Sequence, residues 1–183
     1  ATMVGNLCNG SPAADSVPAM IAADAIVRVQ GPDGTRDVAV ADIPTGPGKT
    51  SLAKGEFVSS VFLPARPGRA SDAYLRFIPR TEMDIAVSSA AVSLALDADG
   101  TCLTARVAVV AVAPTVRLVE AAGAALVGSK LDDSALDAMT AAVEAACSPI
   151  DDKRGTIEFR TKTAGVLARR AALIAQSRAG DRT

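Results

Sequence analysis

The sequence predicts an α+β fold: a mixed, largely antiparallel first part over residues 1–66, then a three-stranded antiparallel sheet with three helices over 67–183. Three features predict it. Two short β-prone runs flank a GPDG at 31–34, two long Val/Ala/Leu runs flank Asp97-Ala98-Asp99-Gly100, and three helical patterns follow one another after Pro114. A Gly-bearing turn between apolar runs is a strong short-range hairpin signal, and a change from period two to a spacing of three or four marks the switch from strand to helix.

The elements follow in order. Residues 1–11, ATMVGNLCNGS, hold Gly5, Asn6, Asn9, Gly10 and Ser11, which tolerate positive φ or bond to nearby backbone, so the stretch reads as a shaped loop. Ser11-Pro12 reads as N-cap and first helical residue of a short helix over 13–22, interrupted early by Pro18. Strands are expected at 25–30 and 36–40, a Gly/Pro/Lys-rich loop at 45–55, and a strand at 57–63 ended by Pro64. The polar ARPGRA at 65–70 is the best linker in the chain and sets the boundary at residue 66. Beyond it come strands at 73–78, 85–96 and 102–113. Helices follow at 116–126, stopped by Gly128, at 134–147, stopped by Pro149, and at 156–178. Leu136, Met139, Val143 and Ala146 give the middle helix its apolar stripe.

Composition removes several function classes. With 183 residues and 49% hydrophobic content the chain can bury a real core. Its 19 basic and 20 acidic residues include no block of like charge, which argues against nucleic acid or an anionic membrane as partner. The longest apolar stretch, near 107–114, is far shorter than the roughly 20 residues of a bilayer span. There is no histidine, so the commonest general base and the usual zinc ligand are missing. Cys8, Cys102 and Cys147 are odd in number and widely spaced, which suits a reducing cytoplasm better than a disulfide framework. The start at Ala1, without methionine and inside a Gly/Asn/Ser-rich stretch, reads as a fragment or processed chain.

Few segments invite chemistry. GPGKT at 46–50 lacks the glycine that a phosphate loop needs at position 43, where Ile43 stands, and no GxGxxG follows a strand. Asp97, Asp99, Asp132, Asp133, Asp151 and Asp152 sit at element boundaries and read as turn residues and caps. Lys153-Arg154 and Arg169-Arg170 read as solvated helix ends. The run ATMVGNLCNGSPAADS resists so plain a reading: small residues with side-chain amides, hydroxyls and a carboxylate could approach a polyanionic ligand closely. Composition leaves a structural loop and a phosphate-binding one equally open.

Taken together, TMVGNLCNGSPAADS, VPAMIAADA, GPGKT, EFVSSVFLP, AYLRFIPRTEMDIA and PIDDKRGTIEFR resemble, in order and spacing, the flavoprotein subunit of the xanthine dehydrogenase and carbon monoxide dehydrogenase family. The resemblance runs along essentially the whole chain. It implies that residues 1–66 are the second of two subdomains between which FAD lies, and that 67–183 are the C-terminal flavoprotein domain. The family's T-x-G-G-N/D loop contacts the FAD phosphates and ribitol, which places Thr2, Gly5 and Asn6 at the cofactor. Asn9, Ser11 and Asp15 then line the flavin pocket, Asp15 near the polar tail. Arg76 stands where the family usually has a lysine beside the pyrimidine edge of the ring, although on a strand between Leu75 and Phe77 it also reads as an ordinary solvent-face residue.

Arg80, Glu82 and Asp84 fit the family's R-x-E-x-D-I-A, and a salt-bridged strand entry explains them equally well. Val4 replaces the first of the paired glycines, and the family's other glycine-rich FAD loop belongs to the N-terminal subdomain, outside this sequence. The implied function is electron transfer from 2Fe-2S clusters on a small subunit, through FAD, to NAD or another acceptor. Hydroxylation would take place on a molybdopterin-bearing large subunit, in an assembly of three kinds of subunit, often doubled. No side chain of this chain would act as nucleophile or base. The alternative is a non-catalytic interaction module that keeps the fold without flavin.

Overall fold

The computed structural model describes residues 2–80 and 84–181, so Glu82 lies outside the described residues. The chain opens with α1 (Met3–Cys8) and α2 (Ser16–Ala22), then the hairpin β1 (Ile26–Gly31) and β2 (Gly34–Ala39). A single 3-10 turn at Val40–Asp42 leads to a small hairpin, β3 (Pro44–Gly46) and β4 (Lys49–Thr50), and to β5 (Phe57–Phe62). The second part holds β6 (Ala70–Phe77), β7 (Ser88–Leu96), β8 (Cys102–Val110), β9 (Arg117–Leu118), α3 (Glu120–Leu126), α4 (Asp133–Ala146) and α5 (Ile157–Gly180).

Two antiparallel sheets organise this order. The first runs β2-β1-β5 and the second β6-β7-β8-β9. GPDG closes β1 onto β2 with Gly31 opposite Gly34, as the turn chemistry predicts. The second sheet holds the three expected strands and gains a two-residue fourth, because β-branched Val116 and Val119 flank Arg117-Leu118 and the free edge of β8 accepts them. The helix expected from 116 therefore begins at Glu120. In the same way the expected loop at 45–55 contains the β3-β4 hairpin.

Residues 3–8, expected to be loop, are helical. Thr2 is extended (φ −124°, ψ 155°) and its Oγ1 accepts from Gly5 N at 3.0 Å, supplying the N-cap. Neither Gly5 nor Asn6 favours a helix, but the turn buries Leu7 completely, and tertiary burial outweighs propensity. Gly10 ends α1 at φ +62°, and its carbonyl accepts from Gly48 N at 2.9 Å. Pro18 lies in the first turn of α2, where its missing N–H has no helical partner to lose, so it does not interrupt the helix.

Period two gives the second sheet two working faces. Ala73, Ala90, Val92, Leu94, Val107 and Val109 face a core closed by α3, α4 and α5, with Met139, Val143 and the alanines of α5 buried against them. Ala108 and Val110 belong to a second core with Val17, Met20 and Ile21 of α2 and Val27, Val29 and Val58 of the first sheet. Helix α2 is thus packed between the two sheets. No helix among the described residues is long and apolar enough to cross a membrane.

Candidate functional site at the α1–α2 corner

The corner is built by a substitution of caps. Asp15 occupies the N-cap position of α2 but makes no capping bond. Asn6 takes that role from the neighbouring helix: its Oδ1 accepts from Ser16 N at 3.0 Å and from Ser16 Oγ at 2.6 Å. The Asp15 carboxylate is therefore free to reach the second sheet, where Oδ1 accepts from the Tyr74 hydroxyl at 2.9 Å and Oδ2 lies 2.9 Å from Arg76 Nη1. Arg76 Nη2 donates to the carbonyl of Asp84 at 2.9 Å.

Asp84 is itself a node. It accepts from Ile85 N at 2.8 Å and pairs with Arg80 and Arg154 at 3.2 and 3.3 Å. Burial pushes its pKa up, but the Ile85 amide, the Arg154 hydrogen bond and the two cations outweigh that and leave it below the ordinary carboxylate value. The salt-bridged strand entry is thus real for Arg80 and Asp84.

The other expected site residues divide into groups. Thr2, Gly5 and Asn9 are exposed and share one face of α1 by their spacing of three and four. Asn6 is turned inward onto α2. Val4, which replaces a family glycine, is half-buried against the second core, so the helix accommodates its side chain. Several amides of the stretch are already engaged: Gly5 N on Thr2 Oγ1, Asn6 N on Thr2 O, Asn9 N on Gly5 O and Gly10 N on Leu7 O. Ser11 Oγ accepts from Ala13 N at 3.2 Å and borders a cavity of about 350 Å³ that the others do not line, between Pro12, Ala111, Ala113-Pro114 and Pro149-Ile150.

Arg160 in the wall of that cavity is 4% exposed. Its guanidinium donates to the carbonyls of Val87 (2.9 Å), Ala111 (3.3 Å) and Gly155 (3.3 Å), and to Asp152 Oδ1 at 2.5 Å. Ala111, whose carbonyl it binds, stands at φ +64°, a strained position for a residue with a Cβ. No group of three metal-ligating side chains occurs among the described residues. Burial pushes the Cys102 and Cys147 thiols up to about 11, so neither is a thiolate near neutral pH.

Sequence reasoning missed Tyr74 and Arg160. The first was legible in principle, since residues two apart on a strand share a face and Arg76 had been singled out. The second was not, because nothing in the pattern of α5 separates a buried arginine from its exposed neighbours.

A short α2 pinned between two antiparallel sheets, with a polar corner at its start, defines a two-part α+β scaffold whose polar residues converge from both parts. Residues 1–66 match the model for the FAD binding domain in molybdopterin dehydrogenase, and 73–175 match that for the CO dehydrogenase flavoprotein C-terminal domain. The carbon monoxide dehydrogenase medium chain of Afipia carboxidovorans is 39% identical over 97% of this chain and 61% of its own length. The putative xanthine dehydrogenase FAD-binding subunit of Escherichia coli is 32% identical over 87% of this chain and 55% of its own. Among solved structures, reconstituted CO dehydrogenase from Oligotropha carboxidovorans superposes with a TM-score of 0.92 at 37% identity, covering 97% of this chain and 61% of that one. The chain belongs to the family of FAD-binding medium subunits of carbon monoxide and xanthine dehydrogenases. It spans about three-fifths of the length of these relatives.

Proposed function

We propose that this chain is the part of a molybdenum-hydroxylase flavoprotein subunit that holds FAD from one side. In this reading it receives electrons from the 2Fe-2S clusters of a small subunit and passes them to NAD or another acceptor, while a molybdopterin-bearing large subunit oxidises the substrate. The observation that carries the reading is the Asp15–Arg76 ion pair: two positions singled out by the resemblance, one in each family segment, meet at 2.9 Å.

The donor set suits a flavin dinucleotide. Thr2, Gly5 and Asn9 form a polar ridge with no bulky side chain, along which phosphates and ribitol can lie close to the backbone. A Cβ built at Gly5 would meet only Thr2 Oγ1, at 2.8 Å, so glycine keeps that ridge low. Asn6 contributes by fixing α2, and Ser11 by shaping the turn between the helices. Arg76, with Asp15 beside it, supplies charge where the ring would gain electrons. Bound FAD would supply the redox chemistry, accepting and releasing electrons singly or in pairs; the chain binds and orients it.

Flavin retention by the purified full-length subunit tests this. A yellow subunit that loses most of its FAD on Gly5→Asp, with circular dichroism unchanged, supports the reading. An acidic residue in the first turn favours the helix dipole, which offsets the crowding of Thr2 Oγ1 by the new Cβ, and it sets a carboxylate among the phosphates. Undiminished FAD in the variant would remove α1 from the cofactor. A colourless wild-type subunit of intact fold would leave the non-catalytic module.

A further inference from the structure

Tyr74 has no part in the reading above, yet it holds the residue on which that reading turns. Both carboxylate oxygens of Asp15 are committed, Oδ1 to the Tyr74 hydroxyl and Oδ2 to Arg76, each at 2.9 Å. Tyr74 and Arg76 alternate on β6 and so lie on one face of the sheet, with Arg76 opposite Ser89 on β7. Ser89 is fully buried, and its hydroxyl makes no hydrogen bond of good geometry among the described residues, although it is near enough to the phenol to oppose part of the effect of burial. Burial is the main effect on Tyr74 and raises its pKa far above the ordinary value, with the Asp15 carboxylate adding to the rise. The phenol therefore stays protonated at physiological pH and acts toward Asp15 as a donor.

The arrangement is not a local accident of one loop. Tyr74 and Asp15 are 59 residues apart in sequence, and Asp15 is available only because Asn6 has taken over the cap of α2. Without Tyr74 the carboxylate, at the rim of the corner, would be held by Arg76 alone and could turn about that one contact. A carboxylate in contact with a guanidinium cancels much of its field a few ångströms away, so the position of Asp15 decides how strongly Arg76 acts on a neighbour.

We propose that Tyr74 is a positioning residue of the flavin site: by holding one oxygen of Asp15 it keeps the other on Arg76, and so sets how much of the guanidinium charge reaches the isoalloxazine ring. This rests on the reading that Arg76 faces the flavin. A less neutralised cation favours the reduced, more negative ring. Loosening Asp15 therefore raises the flavin reduction potential, and removing its charge raises it further.

The test is a potentiometric titration of the FAD in the purified full-length subunit, in a double-mutant cycle of Tyr74→Phe, Asp15→Asn and both together. The expected result is an upward shift in each single variant, larger for Asp15→Asn, with the double variant matching Asp15→Asn alone, because Tyr74 acts only through the carboxylate. A potential unchanged by Tyr74→Phe, or additive shifts in the double variant, would overturn the positioning role while leaving the flavin assignment in place. A wild-type subunit without flavin would overturn both. Should Tyr74→Phe not fold, Asp15→Asn carries the test at an exposed carboxylate: no upward shift leaves Tyr74 nothing to set and defeats the proposal.

Discussion

Among residues 2–66 the longest helix has seven residues and the longest strands six, whereas beyond residue 70 strands reach nine residues and a helix twenty-four. The core of the first part is enclosed mostly by many short pieces, with Ala108, Val110 and Val116 of the second part closing one side, and the core of the second part by a few long ones. Short pieces have many ends, and every helix end leaves backbone groups in need of partners. The first part accordingly turns its polar side chains to capping, as Thr2 and Asn6 do, and the corner that results is where the polar site collects. The second part contributes a closely packed sheet and offers the site two side chains from one strand, Tyr74 and Arg76.

If that contrast is physical, the two parts should respond separately to substitutions in their own cores, and hydrogen exchange read segment by segment would reveal it. The largest effect is expected for Arg160→Met. It leaves the carbonyls of Val87, Ala111 and Gly155 and the Asp152 carboxylate without their buried donor, and breaking such a set costs about 3–5 kcal/mol. Denaturant unfolding should show the loss, with exchange rising first around β7, β8 and α5. Gly123→Ala comes next: a Cβ there would stand 2.4 Å from the Ala105 carbonyl oxygen, and forcing α3 off β8 should cost about 2–3 kcal/mol.

Gly10→Ala should act in the first part alone. Its φ of +62° and a Cβ contact of 2.9 Å with Lys49 N predict a loss of about 1–2 kcal/mol, with faster exchange in α1 and the 46–50 hairpin and little change in α5. Equal acceleration of both parts would show that they unfold as one unit and would end the comparison.

The smallest effect concerns acid. Glu56, bonded to the Arg36 guanidinium and to Ala53 N, has its pKa lowered from 4.5 to about 2. A lowered carboxylate stabilises the fold above its unfolded value and ceases to do so as pH falls through the folded one. Glu56→Gln should therefore flatten the stability profile between about pH 4.5 and about 2, and have no such effect on segments beyond residue 70. An unaltered acid profile would mean the pair is too exposed to matter.

How much of this was legible depended on whether the signal was local. GPDG and DADG fixed both hairpins, and the spacing of Leu136, Met139 and Val143 fixed α4, because each element carries its own turn or stripe. Helix α1 was not legible: the capping Thr2 has Gly5 where a capping box would put Glu or Gln, and the force that makes the helix is the burial of Leu7 against residues distant in sequence. Strand β9 was missed for the same reason, since two residues pair only because an edge is waiting for them. At the site, Asp15 and Arg76 were named through resemblance, and their contact could not be read from either neighbourhood. Asn6 was expected to offer its amide outward, and the competition for it by Ser16 exists only once the two helices meet.

One consequence follows from the burial of α2. Its Val17, Met20 and Ile21 at once line the core of the first part and cover one face of the second sheet. Relative swinging of the two parts would have to shear Val17, Met20 and Ile21 away from Val27 and Val29 on one side or from Ala108 and Val110 on the other. A helix clamped in this way behaves as a rivet, and whatever is bound at its leading end inherits the stiffness of the sheet behind it. If FAD sits there as proposed, substitutions along that seam should shift its reduction potential, read by potentiometric titration, at denaturant concentrations that leave the fold intact.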